Sequence, residues 1–379
     1  MRSLNGASVV VAGASSGLGR ATALAFARRG CRLVLAARRE PVLREVARHC
    51  LDAGAPAAIA ITTDVSEPDD VQALAEAAVA RFGAIDIWIN MAGVSLWGRF
   101  EDIPAEAQAR LLSVNLTGVV LGSHAAVRAM LAGGGGGLII NMASLAGRVP
   151  VPFCAAYTAS KFGVAGFSEA LRDELGVRSA IRVCAVYPSF VNTPTDLHSA
   201  NYTGRVLRAL PPVLDPDYVA ERVVGLWGRP RRSLPLGLHF ALQPAYALAP
   251  GLTGWLTAQV MRRFLFGIGA PAPRHDGSLF APLAEGTGSH GSWAQPRSGD
   301  SSQPRSEESR HPRSGDPIPT QSGHPVHPRS GGPTRLLRGP ATRPRSGPQV
   351  GRRPRPGVTL VTAAVAGLFA IVLTGRARR

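Results

Sequence analysis

Residues 8–30 read SVVVAGASSGLGRATALAFARRG, and this stretch decides the fold. It opens with an apolar run at 8–12, continues through a glycine-rich loop and ends in a helical pattern. Glycines at positions 13, 17 and 19 permit a tight turn and let backbone N–H groups approach a phosphate at the start of the helix. The GxxxGxG spacing by itself is a weak indication of a phosphate-binding loop. Its position directly after the first buried strand makes that interpretation stronger.

The same alternation of apolar run and helical pattern continues along the chain. Further apolar runs lie at 32–37, 57–62, 85–90, 137–142 and 181–186. Because these runs are apolar throughout, they predict parallel strands that are buried on both faces. Strands that alternate with helices form βαβ units. We therefore predict an α/β fold of Rossmann type, a doubly wound parallel sheet in a single domain over residues 1–270, with a substrate loop at 188–215.

The second apolar run ends in LAARRE, at residues 35–40. A carboxylate at the end of this strand would hold a ribose 2′-hydroxyl, whereas arginine suits a 2′-phosphate. Arg38 and Arg39 follow two alanines here, so the sequence favours NADP(H) over NAD(H). The alternative is that both are ordinary arginines at the start of a helix.

The stretch YTASK, residues 157–161, contains the only lysine among the 42 basic residues of the chain. Lys161 lies one helical turn after Tyr157, so both side chains are expected on one helix face. A tyrosine with a pKa of about 10 is a poor base near neutral pH, and a nearby cation lowers that pKa.

Taken together, the motifs resemble those of the classical short-chain dehydrogenase/reductase family, over roughly residues 5 to 230. They stand in family order: GASSGLG at 13–19, DV at 64–65, NMAG at 90–93, VNLTG around Asn115, NMASLAG around Ser144, YTASK at 157–161 and YPSFVNT at 187–193. Three positions depart from the family pattern, namely Ala12, Met91 and Ser189. None of them removes a catalytic group, so they bear on cofactor affinity more than on reaction type.

The resemblance implies a role for each member of a catalytic set. Tyr157 would be the general acid/base, and Ser144 would hydrogen-bond the substrate oxygen. Lys161 would lower the pKa of Tyr157 and bond the nicotinamide ribose. Asn115 would hold a water that links Lys161 to solvent.

The resemblance also implies a set of cofactor contacts, and no metal site is predicted. The implied contacts are Gly13, Ser15, Ser16, Gly17, Leu18, Gly19, Arg38, Arg39, Asp64, Val65, Asn90, Ala92, Gly93, Tyr157, Lys161, Pro188, Val191 and Thr193. The four cysteines show no metal-ligand spacing, and reduced structural thiols are expected.

The expected function is an NADP(H)-dependent oxidoreductase that interconverts a carbonyl and a primary or secondary alcohol by hydride transfer. The substrate would be a small molecule, and the aromatic residues Trp97, Phe100 and Phe153 hint at a lipophilic one. The resemblance implies a homodimer or homotetramer. The alternative is a catalytically silent dinucleotide-binding scaffold or sensor of the same fold.

The composition changes after about residue 280. Residues 281–356 are rich in Pro, Arg, Ser and Gly, which predicts a disordered linker. Much of the formal net charge of +17 belongs to this tail. A basic tail can bind nucleic acid, but this one has almost no aromatic residues to stack on bases, so we predict no specific nucleic-acid partner.

The stretch 357–375, GVTLVTAAVAGLFAIVLTG, is predicted to be a transmembrane anchor. Its uncharged part is slightly shorter than the about 20 residues of a spanning helix, so docking on the domain is the alternative. Arginines on both flanks leave its orientation open. The first residues lack a signal-peptide pattern. We therefore expect a cytoplasmic catalytic domain, anchored to a membrane or otherwise free in the cytoplasm.

Overall fold

The computed structural model describes residues 3–134 and 136–291. Within these ranges the strands are β1 (Ser8–Ala12), β2 (Arg32–Ala37), β3 (Ala58–Thr62), β4 (Ile87–Asn90), β5 (Leu96–Trp97), β6 (Gly136–Met142), β7 (Ala180–Pro188), β8 (Ala200–Asn201) and β9 (Ser233–Leu236). The helices are α1 (Gly17–Ala27), α2 (Glu40–Asp52), α3 (Pro68–Phe82), α4 (Ala105–Leu112), α5 (Gly118–Ala132), α6 (Ala155–Gly176), α7 (Thr195–His198), α8 (Pro216–Val224), α9 (Leu242–Leu248) and α10 (Pro250–Arg263).

The main sheet has seven parallel strands in the order β3-β2-β1-β4-β6-β7-β9. Val10 of β1 is in register with Val34 of β2 on one side and with Trp88 of β4 on the other. The predicted doubly wound parallel sheet is therefore confirmed. The strand order reverses at β1, so the crevice beyond the carboxyl ends of β1 and β4 is the place where open sheets of this type bind ligands.

Both faces of the sheet are buried, which explains why its strands are apolar throughout. Val9 and Val11 of β1 pack in the core layer that contains residues of α1, α2 and α8. Val10 points the other way, into the layer that contains residues of α3, α5 and α6. Successive side chains of a strand face opposite sides, so a strand inside a three-layer fold needs an apolar residue at each position.

The long helical pattern at 104–131 forms two helices rather than one. Between α4 and α5 the chain makes a π-helical turn over Ser113–Thr117, and Asn115 lies at its middle. Such turns are rare and occur often at functional sites. In the described ranges, the run Ala105–Ala132 is long and apolar enough to cross a membrane, and 56% of its most apolar window is buried inside the protein. That burial is typical of a core helix.

The C-terminal part of the described chain differs most from the prediction. The sheet gains an edge strand, β9, that the sequence did not indicate. We expected the linker to begin at residue 281, but the chain packs against the domain as far as Gly291. Residues 292–356 of the predicted linker and the predicted anchor at 357–375 lie outside the described residues.

Candidate active site

The glycine-rich loop after β1 passes very close to the neighbouring chain. Gly13 has a φ of 101°, and a Cβ added there would lie 2.6 Å from the backbone nitrogen of Ala92. A Cβ on Gly19 would lie 1.9 Å from the carbonyl oxygen of Gly13. Glycine is therefore required at both positions, because any larger residue would push the loop away from α1 and from the end of β4.

A cavity of about 340 Å³ opens beside this loop. Its walls include every residue that the sequence predicted for the cofactor or for catalysis, except Asn90 and Asn115. Several other residues line the cavity although the sequence did not predict them as site residues: Ala37, Thr63, Met91, Val94, Ser95 and Val114. Thr63 and Met91 directly follow β3 and β4, so the rule that ligands bind beyond strand ends could have identified them.

Asn90 lies outside the cavity wall, because its side chain is turned into the core. Its Oδ1 accepts a hydrogen bond of 2.7 Å from the Trp88 indole, and its Nδ2 donates to Asn141 at 2.8 Å and Ser123 at 3.1 Å. It also donates to the Val119 carbonyl at 3.4 Å. Only 4% of Asn90 is exposed. The residue ties β4 to β6 and α5, while its neighbour Met91 lines the cavity.

Ser144 and Tyr157 meet at one wall of the cavity. Ser144 follows β6 and caps a short helical turn, where its Oγ accepts a hydrogen bond of 3.2 Å from the Ala146 amide. Tyr157 lies in the first turn of α6, and its side chain is hydrogen-bonded to that of Ser144. Burial raises the pKa of Tyr157 to about 12, although the bond to Ser144 acts in the opposite direction.

Lys161 lies one turn further along α6 and is 4% exposed. Its Nζ donates a hydrogen bond of 2.9 Å to the Met142 carbonyl and lies 5.7 Å from the centre of the Tyr157 ring. Burial lowers the pKa of Lys161 to about 8. The sequence led us to expect that the lysine would lower the tyrosine pKa. In the structure, burial of both groups dominates, and it favours the neutral form of each.

Asn115 is fully buried behind the wall rather than in it. Its Oδ1 accepts from the Val94 amide at 2.8 Å, and its Nδ2 donates to the Val94 carbonyl at 2.8 Å and to Ser160 at 3.3 Å. A Cβ added to Gly93 would lie 3.3 Å from Asn115 Oδ1 and 3.5 Å from Lys161 Nζ. Asn115 therefore fixes the main chain at Val94, and Gly93 leaves open the space between the amide and the ammonium.

At the other end of the cavity, basic groups follow β2 and an acid follows β3. Arg39 donates a hydrogen bond of 3.0 Å to Ser15 of the glycine loop, and Arg38 lies beside it. Asp64 forms an ion pair of 2.5 Å with Arg110. Burial raises the pKa of Asp64, but hydrogen bonds from Ser66 and Arg110 outweigh it and hold that pKa below its usual value. The carboxylate is therefore ionised at neutral pH.

The third wall of the cavity is mainly apolar, and its residues come from β5 and from the segments that follow β6 and β7. Trp97, Val151 and Phe190 line it and pack against a cluster that includes Met261 and Leu265. Of the aromatic residues that we expected near a substrate, Trp97 lines the cavity.

The other two aromatic residues lie elsewhere. Phe153 packs behind the wall against Phe266, and Phe100 is 65% exposed and outside the cavity. Ser189, a departure from the family pattern, lies in the cavity wall, and a Cβ on Gly237 would meet its Oγ at 2.1 Å.

These walls suit a dinucleotide. The glycines leave room for phosphates beside α1, the arginines supply positive charge beyond β2, and the tyrosine, serine and lysine gather at the opposite end of the cavity. The Cβ distances at Gly13 and Gly19 show that the loop packs tightly against the neighbouring backbone, which leaves its shape dependent on glycine. The glycines, the arginines and the serine follow the carboxyl ends of β1, β2 and β6, and the tyrosine and the lysine belong to α6.

Comparison with known proteins agrees with this geometry. A sequence model of short chain dehydrogenases matches residues 7–202. An uncharacterized oxidoreductase, YxnA, of Bacillus subtilis (strain 168) is 31% identical over 297 residues, which are 76% of this chain and 83% of that protein.

Solved structures share the fold as well. A variant of an actinorhodin polyketide ketoreductase with NADPH is 32% identical, with a TM-score of 0.54 over 62% of this chain and 97% of that one. A short chain dehydrogenase/reductase from Burkholderia phymatum in complex with NAD is 27% identical, with a TM-score of 0.58 over 68% and 97%. The protein therefore belongs to the short-chain dehydrogenase/reductase family of oxidoreductases, whose fold binds NAD(H) or NADP(H).

Proposed function

We propose that the protein is an NADP(H)-dependent reductase that converts a small aldehyde or ketone to the corresponding alcohol, and the reverse. The observation that carries the proposal is the meeting of Ser144, Tyr157 and Lys161 at one wall of the cavity whose far end holds the glycine loop and two arginines. A purely structural tyrosine or lysine has no need of such a position, since both side chains line the cavity.

In the proposed reduction, the carbonyl carbon would receive a hydride from the bound nicotinamide. Tyr157 supplies the proton to the carbonyl oxygen, and its pKa of about 12 keeps it protonated at neutral pH for that purpose. Ser144 stabilises the negative charge that develops on the oxygen by hydrogen bonding. The product gains one hydride and one proton, so the reduction is balanced.

Lys161 would return a proton to Tyr157 after each turnover. With a pKa of about 8 it holds a proton at neutral pH and can also release it, which an arginine cannot do. Asn115 would support the transfer indirectly, because it holds Val94 and the chain around Gly93 in place. We thus assign it as a positioning residue in this structure, and its predicted hold on a relay water stays a prediction.

The preference for NADP(H) is part of the proposal. Ala36 and Ala37 end β2, so no carboxylate stands where a ribose 2′-hydroxyl would be held, and Arg38 and Arg39 follow at once. A guanidinium forms charge-assisted hydrogen bonds with a phosphate, which favours the 2′-phosphate of NADP(H). Asp64 and Val65 are the residues we assign to the adenine side.

We further propose a lipophilic substrate, because Trp97, Val151 and Phe190 form an apolar wall next to Tyr157. A substrate of this kind fits a domain held at a membrane by the predicted anchor at 357–375. Extraction of membranes with carbonate tests that anchor, and full release of the protein would contradict it. The predicted homodimer or homotetramer is tested by light scattering of the purified protein.

The test of the function is a screen of aldehydes and ketones for NADPH oxidation, with Tyr157→Phe as the blank. We expect turnover that the blank lacks, strongest with apolar carbonyl compounds. Tight NADPH binding without turnover of any compound would instead favour the alternative, a silent dinucleotide-binding scaffold.

A further inference from the structure

The described chain ends in a segment that crosses the mouth of the dinucleotide cavity. We call residues 276–291 the strap. After α10 the chain returns over the carboxyl ends of the strands, and Ser278, Pro282 and Leu283 of the strap become part of the cavity wall. The strap has no helix or strand of its own, so its contacts with the domain hold it in place.

The strap engages the two arginines beyond β2 through its main chain. Arg38 donates hydrogen bonds to the carbonyl oxygens of Ser278 at 2.5 Å and Phe280 at 2.9 Å. Arg39 donates to the carbonyl oxygen of Leu283 at 2.8 Å. These guanidinium groups are the ones that the proposed function assigns to the 2′-phosphate.

The strap also engages the glycine loop. The Gly17 amide at the start of α1 donates a hydrogen bond of 2.8 Å to the Gly288 carbonyl. Arg20, one turn into α1, donates one of 2.9 Å to the Thr287 carbonyl. The first N–H groups of a helix are the donors that bind a pyrophosphate in this fold. The strap therefore places carbonyl oxygens on donors from both phosphate-binding regions.

A carbonyl oxygen and a phosphate oxygen compete for the same N–H group. The phosphate is charged, so it forms ion pairs with the arginines and a charge-assisted hydrogen bond with the Gly17 amide, whereas the carbonyl oxygens of the strap carry no charge. A dinucleotide can therefore displace the strap, but it has to break these hydrogen bonds first. The apparent affinity for the dinucleotide is therefore the intrinsic affinity multiplied by the fraction of molecules in which the strap is open.

Both ends of the strap are fastened to the loop after β7. At one end the Ser278 amide donates a hydrogen bond of 3.0 Å to the His198 carbonyl, and Tyr202 bonds Asp276. At the other end the Gly291 amide donates one of 3.0 Å to the Asn192 carbonyl. These contacts hold both ends of the strap close to the domain, so a shift at either end changes how its middle lies on the arginines.

We propose that the strap is an internal competitor that gates the dinucleotide site. In the free protein it occupies the phosphate donors with its own carbonyl groups, and it opens when the dinucleotide binds. This inference rests on the proposed function in one respect, namely that the cavity takes a dinucleotide.

Two glycines allow the strap to be loosened without touching any phosphate donor. A Cβ on Gly277, whose φ is 56°, would lie 2.4 Å from the His198 carbonyl oxygen. A Cβ on Gly291 would lie 2.3 Å from the Thr193 carbonyl oxygen. Gly277→Ala and Gly291→Ala therefore displace opposite ends of the strap. Gly254→Ala in α10 is the matched control, since an added Cβ meets no atom within 4 Å among the described residues.

We expect both strap variants to bind NADPH about fivefold more tightly, the effect of losing one or two hydrogen bonds from the closed state, with a higher association rate. The control should bind as the unchanged protein does. Unchanged or weaker binding in both strap variants, with normal thermal stability, would overturn the gate.

Hydrogen exchange of the full chain gives the direct reading. On addition of NADPH we expect slower exchange in the peptide that covers residues 13–19 and faster exchange in the peptide that covers 278–291. Slower exchange in the strap would mean that it clamps the bound dinucleotide, and unchanged exchange would mean that it is a passive wall. Either result would refute the proposal that the strap competes with the dinucleotide. No protection of residues 13–19 would instead count against the proposed function.

Discussion

The ammonium of Lys161 lies 5.7 Å from the centre of the Tyr157 ring, and both side chains belong to one wall of the cavity. The burial that raises the pKa of Tyr157 to about 12 also lowers the pKa of Lys161 to about 8. The tyrosine is thus kept as an acid while the lysine is brought close to the pH at which it exchanges a proton. The only lysine of the chain lies at the position where that property is useful.

Replacing Lys161 with arginine keeps the positive charge and removes the exchangeable proton. The side chain is 4% exposed and its Nζ bonds the Met142 carbonyl, so the larger guanidinium would also be misplaced. We expect kcat/KM of Lys161→Arg to fall by at least about 100-fold. Steady-state kinetics with NADPH and the best carbonyl substrate measure this. Activity within about twofold of the unchanged protein would show that charge alone matters.

The lowered pKa of Lys161 predicts a pH dependence of stability. The value is about 8 in the folded protein against an ordinary 10.5, so between these pH values the unfolded chain binds more protons than the folded one. The free energy of unfolding should therefore rise with pH in this window, relative to Lys161→Met. From pH 8 to 10 the expected gain is about 2 kcal/mol. Urea unfolding of both proteins at the two pH values measures it, and parallel pH profiles would contradict it.

The arginines beyond β2 predict cofactor selectivity. Arg38→Asp should lower the ratio of kcat/KM with NADPH to kcat/KM with NADH by at least about tenfold, because a charge-assisted bond to the 2′-phosphate is replaced by repulsion. The ratio isolates this effect, since loosening of the strap acts on both cofactors. Arg44→Asp is the control, because Arg44 is exposed on α2 and pairs with Glu40. An unchanged ratio in the Arg38 variant would rule out its assigned role.

The position of Asn90 predicts a loss of stability without a loss of cofactor affinity. Asn90→Ala removes the acceptor of the buried Trp88 indole and the donor to Asn141. The expected cost is about 2–4 kcal/mol of unfolding free energy, with NADPH affinity nearly unchanged at a temperature where the variant is folded. Calorimetry and a binding titration measure the two quantities. Weakened binding with normal stability would place Asn90 in the cofactor site after all.

The sequence located the sheet because its strands are buried on both faces and are therefore apolar throughout. It did not indicate that the Asn90 side chain is buried, because a motif names a position and not a side-chain direction. Alternation along β4 holds the correct answer: Ile89 faces the core layer with α1, whereas Trp88 faces the layer with α3, and Asn90 shares the face of Trp88. Reading the strand period together with the motif would have placed it in the core.

The strap and the π-helical turn left no comparable trace in the sequence. The strap contacts the domain mostly through its carbonyl oxygens, and every residue type supplies a carbonyl oxygen. The sequence therefore shows no sign of these contacts, and the Gly, Ser and Pro content of the strap predicted a linker. The π-helical turn continues the helical pattern on both sides. Asn115 at its middle bonds the Val94 main chain, a contact across 21 residues that local periodicity does not register.

The central claim is that Tyr157 delivers the proton in an NADPH-dependent carbonyl reduction. The direct measurement compares NADPH oxidation by the unchanged protein and by Tyr157→Phe, at a carbonyl concentration that saturates both, with NADPH affinity determined for each. The account predicts equal NADPH affinity and a turnover rate at least about 1,000-fold lower in the variant. A Tyr157→Phe protein that reduces the carbonyl at close to the normal rate would contradict it.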